Sequence, residues 1–82
     1  MHEVGIANSI LDAVRNEANL HAPARARKVG VKIGEMAGID PNSLAFCFEV
    51  LVKGSDLEPL ELEIQPGVAD ELSFAWLELE EP

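Results

Sequence analysis

The chain has 82 residues, a net charge of −9 and a composition that is 48% hydrophobic and 26% charged, which is typical of one small soluble domain. Fifteen acidic residues against six basic ones disfavour nucleic acid and anionic membranes as partners, because both require a basic surface. No apolar run approaches the roughly 20 residues of a membrane helix, and the single cysteine, Cys47, excludes a disulfide framework and a cysteine-rich zinc site.

Two helices are predicted, and each is followed by a strand. Apolar residues recur at helical spacing from Glu3 to Leu20, with polar residues mostly on the opposite face. The second helix has Asp40 as its N-cap and Pro41 at its first position, where the missing N–H costs nothing, and it stops at Gly54. Cys47 lies on the apolar face of this helix, which predicts a buried structural thiol rather than a reactive one.

The first two strands are predicted from alternating apolar and polar residues. The first covers Arg27–Ile33 and follows a connector of small residues at Ala22–Ala26. The second covers Leu60–Gln65, and the Pro66–Gly67 dipeptide after it predicts a turn.

In the third strand, Leu72, Phe74 and Trp76 occupy even positions, whereas Leu77 and Leu79 occupy odd positions. A regular strand would therefore place these two apolar sets on opposite faces of the sheet. A β-bulge near Trp76 would reconcile the two sets; the alternative is a strand covered on both faces. The order helix, strand, helix, strand, strand predicts an α/β (α+β) fold. We expect a two-layer sandwich in which both helices lie on one face of a three-stranded sheet.

The most distinctive chemical feature is the opening tripeptide, Met1–His2–Glu3. The bulky His2 should protect Met1 from removal, which leaves a free α-amine beside the imidazole. The amine, the imidazole and the intervening amide nitrogens can close chelate rings about one metal, and four nitrogens in a plane suit Ni(II) or Cu(II). Glu3 can supply an oxygen ligand or orient the imidazole, but an acid in the first turn of a helix is equally well explained by the helix dipole.

Several stretches resemble the HypA/HybF nickel metallochaperones, in family order and spacing over roughly residues 1–65. They are Met1–His2–Glu3 with the helix containing Ser9–Ile10–Leu11, the strand and Gly-Glu-x-x-Gly-x-Asp-Pro turn of Val29–Pro41, the helix of Leu44–Gly54, and the strand Leu60–Ile64. The resemblance implies that His2 is the main nickel ligand and that the Met1 amine and the backbone around His2 and Glu3 complete the set. It also implies that the Asp-Pro turn lies near the N-terminus. Asp40 is then a ligand or a partner of one, unless it is only the helix cap.

This chain also departs from the family pattern in one respect. HypA proteins insert a zinc domain with two Cys-x-x-Cys pairs after the second strand, whereas this chain has no such pair and Glu71–Glu80 resembles the family's terminal strand. We therefore expect residues 1–82 to form a single nickel-binding domain, with the zinc domain absent after about residue 65 and no zinc site. The five residues Pro66–Asp70 are expected to form a hairpin connection between adjacent antiparallel strands.

The function implied by the resemblance is that of a cytoplasmic nickel-binding maturation factor rather than an enzyme. In the family, Ni(II) passes to a partner GTPase and on to the large subunit of [NiFe]-hydrogenase, and in some organisms to urease. The alternative is a metal-free interaction or regulatory module with the same fold, and exposed edge strands or exchange of the terminal strand would make it a homodimer. A metal-dependent enzyme is disfavoured because no phosphate loop, nucleophile elbow or second acid–base pair accompanies the tripeptide.

Overall fold

The computed structural model describes residues 2–82, which form two helices and three strands. In chain order these are α1 (Glu3–Leu20), β1 (Arg25–Gly34), α2 (Pro41–Val52), β2 (Glu61–Gly67) and β3 (Leu72–Glu80). The predicted element order and the bounds of the first helix are confirmed. The first strand begins two residues earlier than predicted, so the connector after α1 shortens to residues 21–24. Neither helix within residues 2–82 is long and apolar enough to cross a membrane.

The three strands form one sheet in the order β2-β1-β3, with β1 parallel to β2 and antiparallel to β3. The helices and the core-facing residues of β1 share one apolar cluster, so the predicted two-layer α+β sandwich is confirmed. The predicted hairpin between the second and third strands is wrong. β2 and β3 lie on opposite edges of the sheet with β1 between them.

The parallel pairing of β1 with β2 sets the direction of α2, and the short connection into β1 sets the direction of α1. α2 must return the chain to the starting end of the sheet, so it runs antiparallel to the two strands. α1 enters β1 through a short connection and also runs antiparallel to it. Contacts at both ends show the resulting alignment, because Glu3 meets Asp40 at the starts of the helices and Arg15 meets Asp56 just beyond the end of α2. Both helices therefore begin at the carboxyl ends of the parallel strands.

At the end of the helix layer away from Glu3 and Asp40, a contact between Arg15 and Asp56 joins α1 to the segment after α2. Arg15 Nη2 donates to Asp56 Oδ1 at 2.9 Å, and Nε donates to Oδ2 at 3.3 Å. The hydrogen bond from Arg15 lowers the pKa of Asp56, so this carboxylate is charged at neutral pH. The pair is exposed, and exposed ion pairs contribute little to stability, so its main effect is on the relative placement of α1 and the end of α2.

The hydrophobic core lies between the helix layer and β1. Val14, Val29, Val31 and Leu44 are the largest side chains that are almost completely inaccessible to solvent. Burial of each such side chain contributes about 1.5–3 kcal/mol. The remaining core residues are Ala7, Ile10, Leu11, Ala26, Ile33, Phe48, Val52, Leu57 and Leu60. Cys47 packs against this core but is only half-buried, so its predicted burial overstates how deep it lies.

β3 contains the predicted bulge. Gly30 of β1 pairs with Trp76, whereas the next residue, Val31, pairs with Phe74, which leaves Ala75 as the extra residue. The bulge sits one position before Trp76. Trp76 lies across Gly30 on the side of the sheet away from the helices, where a Cβ at Gly30 would collide with the indole.

The bulge resolves the conflict of parity that the third strand shows in the sequence. Leu72 and Phe74 pair opposite residues of β1 that face the helices, as do Leu77 and Leu79. The predicted common face for Phe74 and Trp76 is therefore wrong. Leu72 and Phe74 nevertheless remain 45% and 41% exposed, because the helix layer does not extend over this part of the strand.

The predicted turn at Pro66–Gly67 is also wrong. These two residues are the last of β2 and pair with Ile33 and Gly34 of β1. Pro66 lacks an N–H, and its place on an edge strand makes this tolerable. The change of direction occurs in residues 68–71, which carry the chain across the end of β1 to the other edge.

The crossing segment is held close to the end of β1. Gly34 N–H donates to the Glu71 carbonyl at 2.8 Å. The Glu71 carboxylate accepts hydrogen bonds from the Ser73 hydroxyl at 2.8 Å and from the Val68 N–H at 3.0 Å, and these lower the pKa of Glu71. The approach is so close that a Cβ on Gly34 would collide with the carbonyl oxygen of Ala69.

We predict that Gly34→Ala destabilises the domain by about 1–3 kcal/mol, because the backbone of the crossing segment must move away. Gly5→Ala is the matched control, since a Cβ at Gly5 meets no atom within 4 Å and alanine favours the helix that contains it. Urea unfolding of both variants measures the two changes. Equal stability of Gly34→Ala and Gly5→Ala would contradict the close crossing of β1.

Candidate metal site at the joined helix starts

His2 is the N-cap of α1 and is exposed at its amino-terminal end. Its carbonyl oxygen accepts hydrogen bonds from the N–H groups of Gly5 at 3.0 Å and Ile6 at 3.3 Å, which begin the helix. Its imidazole makes no capping hydrogen bond. The backbone of His2 thus fixes the start of α1, while its side chain has no role in capping the helix.

Glu3 joins the start of α1 to the start of α2. Its Oε2 accepts a hydrogen bond from the Asp40 N–H at 3.3 Å, across a separation of 37 residues. The structure therefore brings Glu3 and Asp40 together, as the resemblance to the metallochaperones implied. The contact also places the Asp-Pro turn beside the residue that follows His2.

Asp40 acts as the cap of α2, as predicted. Its Oδ1 accepts hydrogen bonds from the N–H groups of Asn42 at 3.0 Å and Ser43 at 3.4 Å, and its Oδ2 accepts one from the Ser43 hydroxyl at 3.2 Å. A carboxylate has about four acceptor positions, so the cap leaves Asp40 with capacity for one further partner. The Asp40–Pro41 pair predicts the cap, but it does not indicate that the Ser43 hydroxyl also donates to Asp40.

The backbone near His2 offers nitrogen atoms that the helix does not need. The first four N–H groups of a helix have no partner within it, and Glu3 and Val4 precede the first hydrogen-bonded amide, which belongs to Gly5. Loss of the Glu3 amide proton would therefore break no bond of the α1 ladder. A metal that binds backbone nitrogen can use this position without unwinding the helix.

Donor side chains alone do not build a metal site here. Among residues 2–82, no three His, Cys, Asp or Glu side chains lie close enough together to hold an ion. Met1, whose amine is a predicted ligand, lies outside the described residues. A planar nitrogen site uses one imidazole and backbone atoms, so it does not require a cluster of side chains.

The electrostatics of this end are mixed. The start of a helix carries a partial positive charge of roughly half a unit, and two helices begin here side by side. This arrangement opposes the binding of a cation. Glu3 in the first turn of α1 and Asp40 at the cap of α2 each place a carboxylate against that field.

The second histidine lies far from this end. His21 is the C-cap residue of α1 and is exposed, and its backbone N–H donates to the Ala18 carbonyl. An 18-residue helix is about 27 Å long, so the imidazoles of His2 and His21 cannot share an ion.

The fold and the geometry of its amino-terminal end define a two-layer α+β domain with a histidine and two carboxylates at the joined starts of its helices. The family model described as "Hydrogenase/urease nickel incorporation, metallochaperone, hypA" matches residues 1–70. The chain therefore belongs to the HypA family, which confirms the resemblance read from its motifs.

Individual relatives agree with this assignment. The hydrogenase maturation factor HypA of Chlorobium limicola is 45% identical over 65 residues, which are 79% of this chain and 56% of that protein. The factor of the same name from Streptomyces avermitilis is 40% identical over 72 residues, or 84% of this chain and 55% of that protein. The chain thus spans little more than half the length of these relatives.

A solved structure shows the same fold. The solution structure of the Ni metallochaperone HypA from Helicobacter pylori superposes with a TM-score of 0.73 at 24% sequence identity. The match covers 82% of this chain and 58% of the Helicobacter protein. The two-layer arrangement is therefore shared despite low sequence identity.

We predict that Asp40→Ala destabilises the domain by about 0.5–2 kcal/mol, because two amide donors at the start of α2 lose their acceptor. Asp40→Asn is the matched control, since asparagine caps helices about as well as aspartate. Urea unfolding distinguishes the two variants. Equal losses in both would show that the negative charge of Asp40 matters and that its capping oxygen does not.

Proposed function

We propose that this chain binds Ni(II) at its amino terminus and delivers it for assembly of the metal centre of [NiFe]-hydrogenase. The proposed ligands are the imidazole of His2, the amine of Met1 and the backbone nitrogens around His2 and Glu3. The carboxylates of Glu3 and Asp40 add an oxygen ligand or orient the others. Nickel is the cargo in this scheme rather than a permanent part of the protein.

One observation supports this proposal above the others, and it is the hydrogen bond from the Asp40 N–H to Glu3 Oε2 at 3.3 Å. It connects the tripeptide to the Asp-Pro turn, two motifs that are 37 residues apart in the chain. It thereby brings Asp40, which belongs to a different element, next to the residue that follows His2. With it, two negative charges lie beside the proposed nitrogen ligands.

The position of the site favours exchange of the metal. His2 and Asp40 are exposed, so an incoming ligand from another protein can reach an ion bound at the tripeptide. The positive ends of two helices weaken the hold on a cation, while the two carboxylates offset that effect. A planar set of nitrogens also accommodates Ni(II) better than Zn(II), which prefers a tetrahedron.

The partners of the proposed pathway come from the family. We propose a nickel-handling GTPase as the acceptor and the hydrogenase large subunit as the destination, with urease as the destination in some organisms. The cytoplasm is the proposed location. Residues 1–82 are proposed to act as a single nickel-binding domain without the zinc domain or a zinc site, and the only cysteine in them is Cys47.

A second function is favoured by a separate observation. Leu72 and Phe74 leave an apolar surface exposed next to α1, which suits a protein that docks partners without carrying metal. This interaction module is the alternative to metal delivery. Neither function requires catalysis, and we propose that the chain is a maturation factor rather than an enzyme.

The nickel proposal predicts saturable binding of Ni(II) in a calorimetric titration of protein whose Met1 terminus has been verified by mass spectrometry. His2→Ala should abolish this binding, and an extension ahead of Met1 should do the same because it removes the free amine. Changes at Glu3 or Asp40, such as Glu3→Gln, should weaken affinity about 10–100-fold, as is usual for groups that support a metal ligand.

Affinity should rise with pH through the amine pKa of about 7.7–8.0, since a proton must leave before the metal binds.

His21→Ala is the matched control, because it removes the other imidazole at the far end of α1 and should leave binding unchanged. Equal binding by the native, His2→Ala and extended proteins would overturn nickel delivery through the tripeptide. The interaction module would then be the better account of the chain.

A further inference from the structure

An open groove of about 440 Å³ runs between α1 and β3. Its walls are apolar on both sides, with His2 at one end. The residues that form it on α1 include Ile6, Ile10 and Ala13, and those on β3 include Leu72 and Phe74. Large apolar side chains that stay exposed around a concave surface commonly mark an interaction site.

The groove borders an edge of the sheet that can accept another strand. β3 is the outermost strand on this side, so one row of its backbone N–H and C=O groups has no neighbouring strand. The other edge strand, β2, contains Pro66, which removes a donor. β3 has nine residues and no proline, and its bulge at Ala75 leaves pairing positions on both sides.

The two faces of β3 differ in character. The face toward the helices carries Leu72, Phe74 and other leucines, whereas the opposite face presents Trp76, Glu78 and Glu80. A strand added to this edge would continue both faces. Its side chains would therefore alternate between apolar, where they extend the groove, and polar, where they lie beside the glutamates.

The charge along β3 is acidic. No basic residue follows Lys53 in the sequence. Arg27 pairs with Glu80 at 2.7 Å, but among residues 2–82 no ion pair is formed by Asp70, Glu78 or Glu81. These three carboxylates leave negative potential near the edge of β3 that a basic partner would complement.

We propose that β3 and the adjoining groove form a docking site for an extended segment of a partner protein in which apolar and basic side chains alternate. The segment adds a strand to the free edge of β3, as in other cases of strand addition. Its apolar side chains lie beside Leu72 and Phe74. Its basic side chains lie beside Glu78 and over the ring of Trp76, where a cation is also favoured.

A second copy of this chain is a poorer occupant of the edge. Each chain carries a net charge of −9, so two copies repel one another. Pairing of two β3 strands would bring Glu78 and Glu80 of both copies to one shared edge, and β3 contains no basic residue to offset them. Like charges directly opposite one another are destabilising in a sheet.

The test uses metal-free protein, so its result does not depend on the nickel proposal. Isotope-labelled protein is titrated with a peptide of alternating valine and lysine, and its amide chemical shifts are followed by NMR. Shifts should concentrate in Leu72–Glu80 and at His2. A peptide of alternating valine and glutamate should bind at least about tenfold more weakly, because it meets like charge.

Phe74→Lys should weaken binding of the valine–lysine peptide about tenfold or more, because it places a positive charge in the groove. Phe46→Lys is the matched control, since Phe46 is 68% exposed on α2, and it should change binding less than about twofold. Circular dichroism shows whether both variants remain folded. If Phe74→Lys unfolds, Glu78→Lys is the substitute variant and should weaken binding of the same peptide.

Three results of the peptide titrations would overturn the proposal: shifts confined to β2 or α2, equal binding of both peptides, or no binding of the valine–lysine peptide at millimolar concentration. A dimer in analytical ultracentrifugation that Phe74→Lys dissociates would also overturn it. That outcome would assign the edge to a second copy of this chain.

Discussion

The architecture of this domain depends on the parallel pairing of β1 with β2. The register joins Val29 to Leu62 and Val31 to Ile64, so the two strands run side by side over seven residue pairs. Parallel strands need a crossover, and α2 supplies it by running back along the sheet. α1 runs in the same direction as α2 and leads into β1 through a short connection. The two helices consequently start together at the carboxyl ends of the strands, where Glu3, the residue after His2, contacts Asp40.

This constraint also shapes the proposed nickel site. The joined helix starts present a positive field, and the sequence places one carboxylate at each start, Glu3 on α1 and Asp40 on α2. Asp40 already serves as a helix cap, and Glu3 binds its backbone N–H. The carboxylates are therefore held in place by structural bonds before any ion arrives. The proposed site thus combines carboxylates held by structural bonds with an exposed imidazole, which suits a metal that must be taken up and then released.

Sequence patterns predicted the features of the fold that residues close together in the chain determine. The spacing of apolar residues gave α1, and the Asp40–Pro41 pair gave the start of α2. The parity conflict in β3 gave the bulge that the structure places at Ala75. The edge on which β3 lies was not predictable in this way. A link of four or five residues spans about 13–16 Å when extended. This length allows a hairpin, and it also allows a crossing over one intervening strand, which covers two strand spacings or about 10 Å.

Contacts between distant residues were also beyond local patterns. The pairs Glu3–Asp40 and Arg15–Asp56 are separated by 37 and 41 residues, and nothing in the spacing of either motif specifies its partner. The first was implied only by resemblance to the HypA family, and the second was missed. Both arise because the helices run parallel, which follows from the sheet.

The most direct test of the central claim is the NMR spectrum of the protein loaded with one equivalent of Ni(II). A planar site of four nitrogens makes the ion diamagnetic. We predict sharp lines throughout, together with loss of the amide proton signals of His2 and Glu3, whose nitrogens bind the metal. Broad paramagnetic lines with both amide protons retained would contradict the account, because they would show nickel held by side chains or water outside the backbone of the tripeptide.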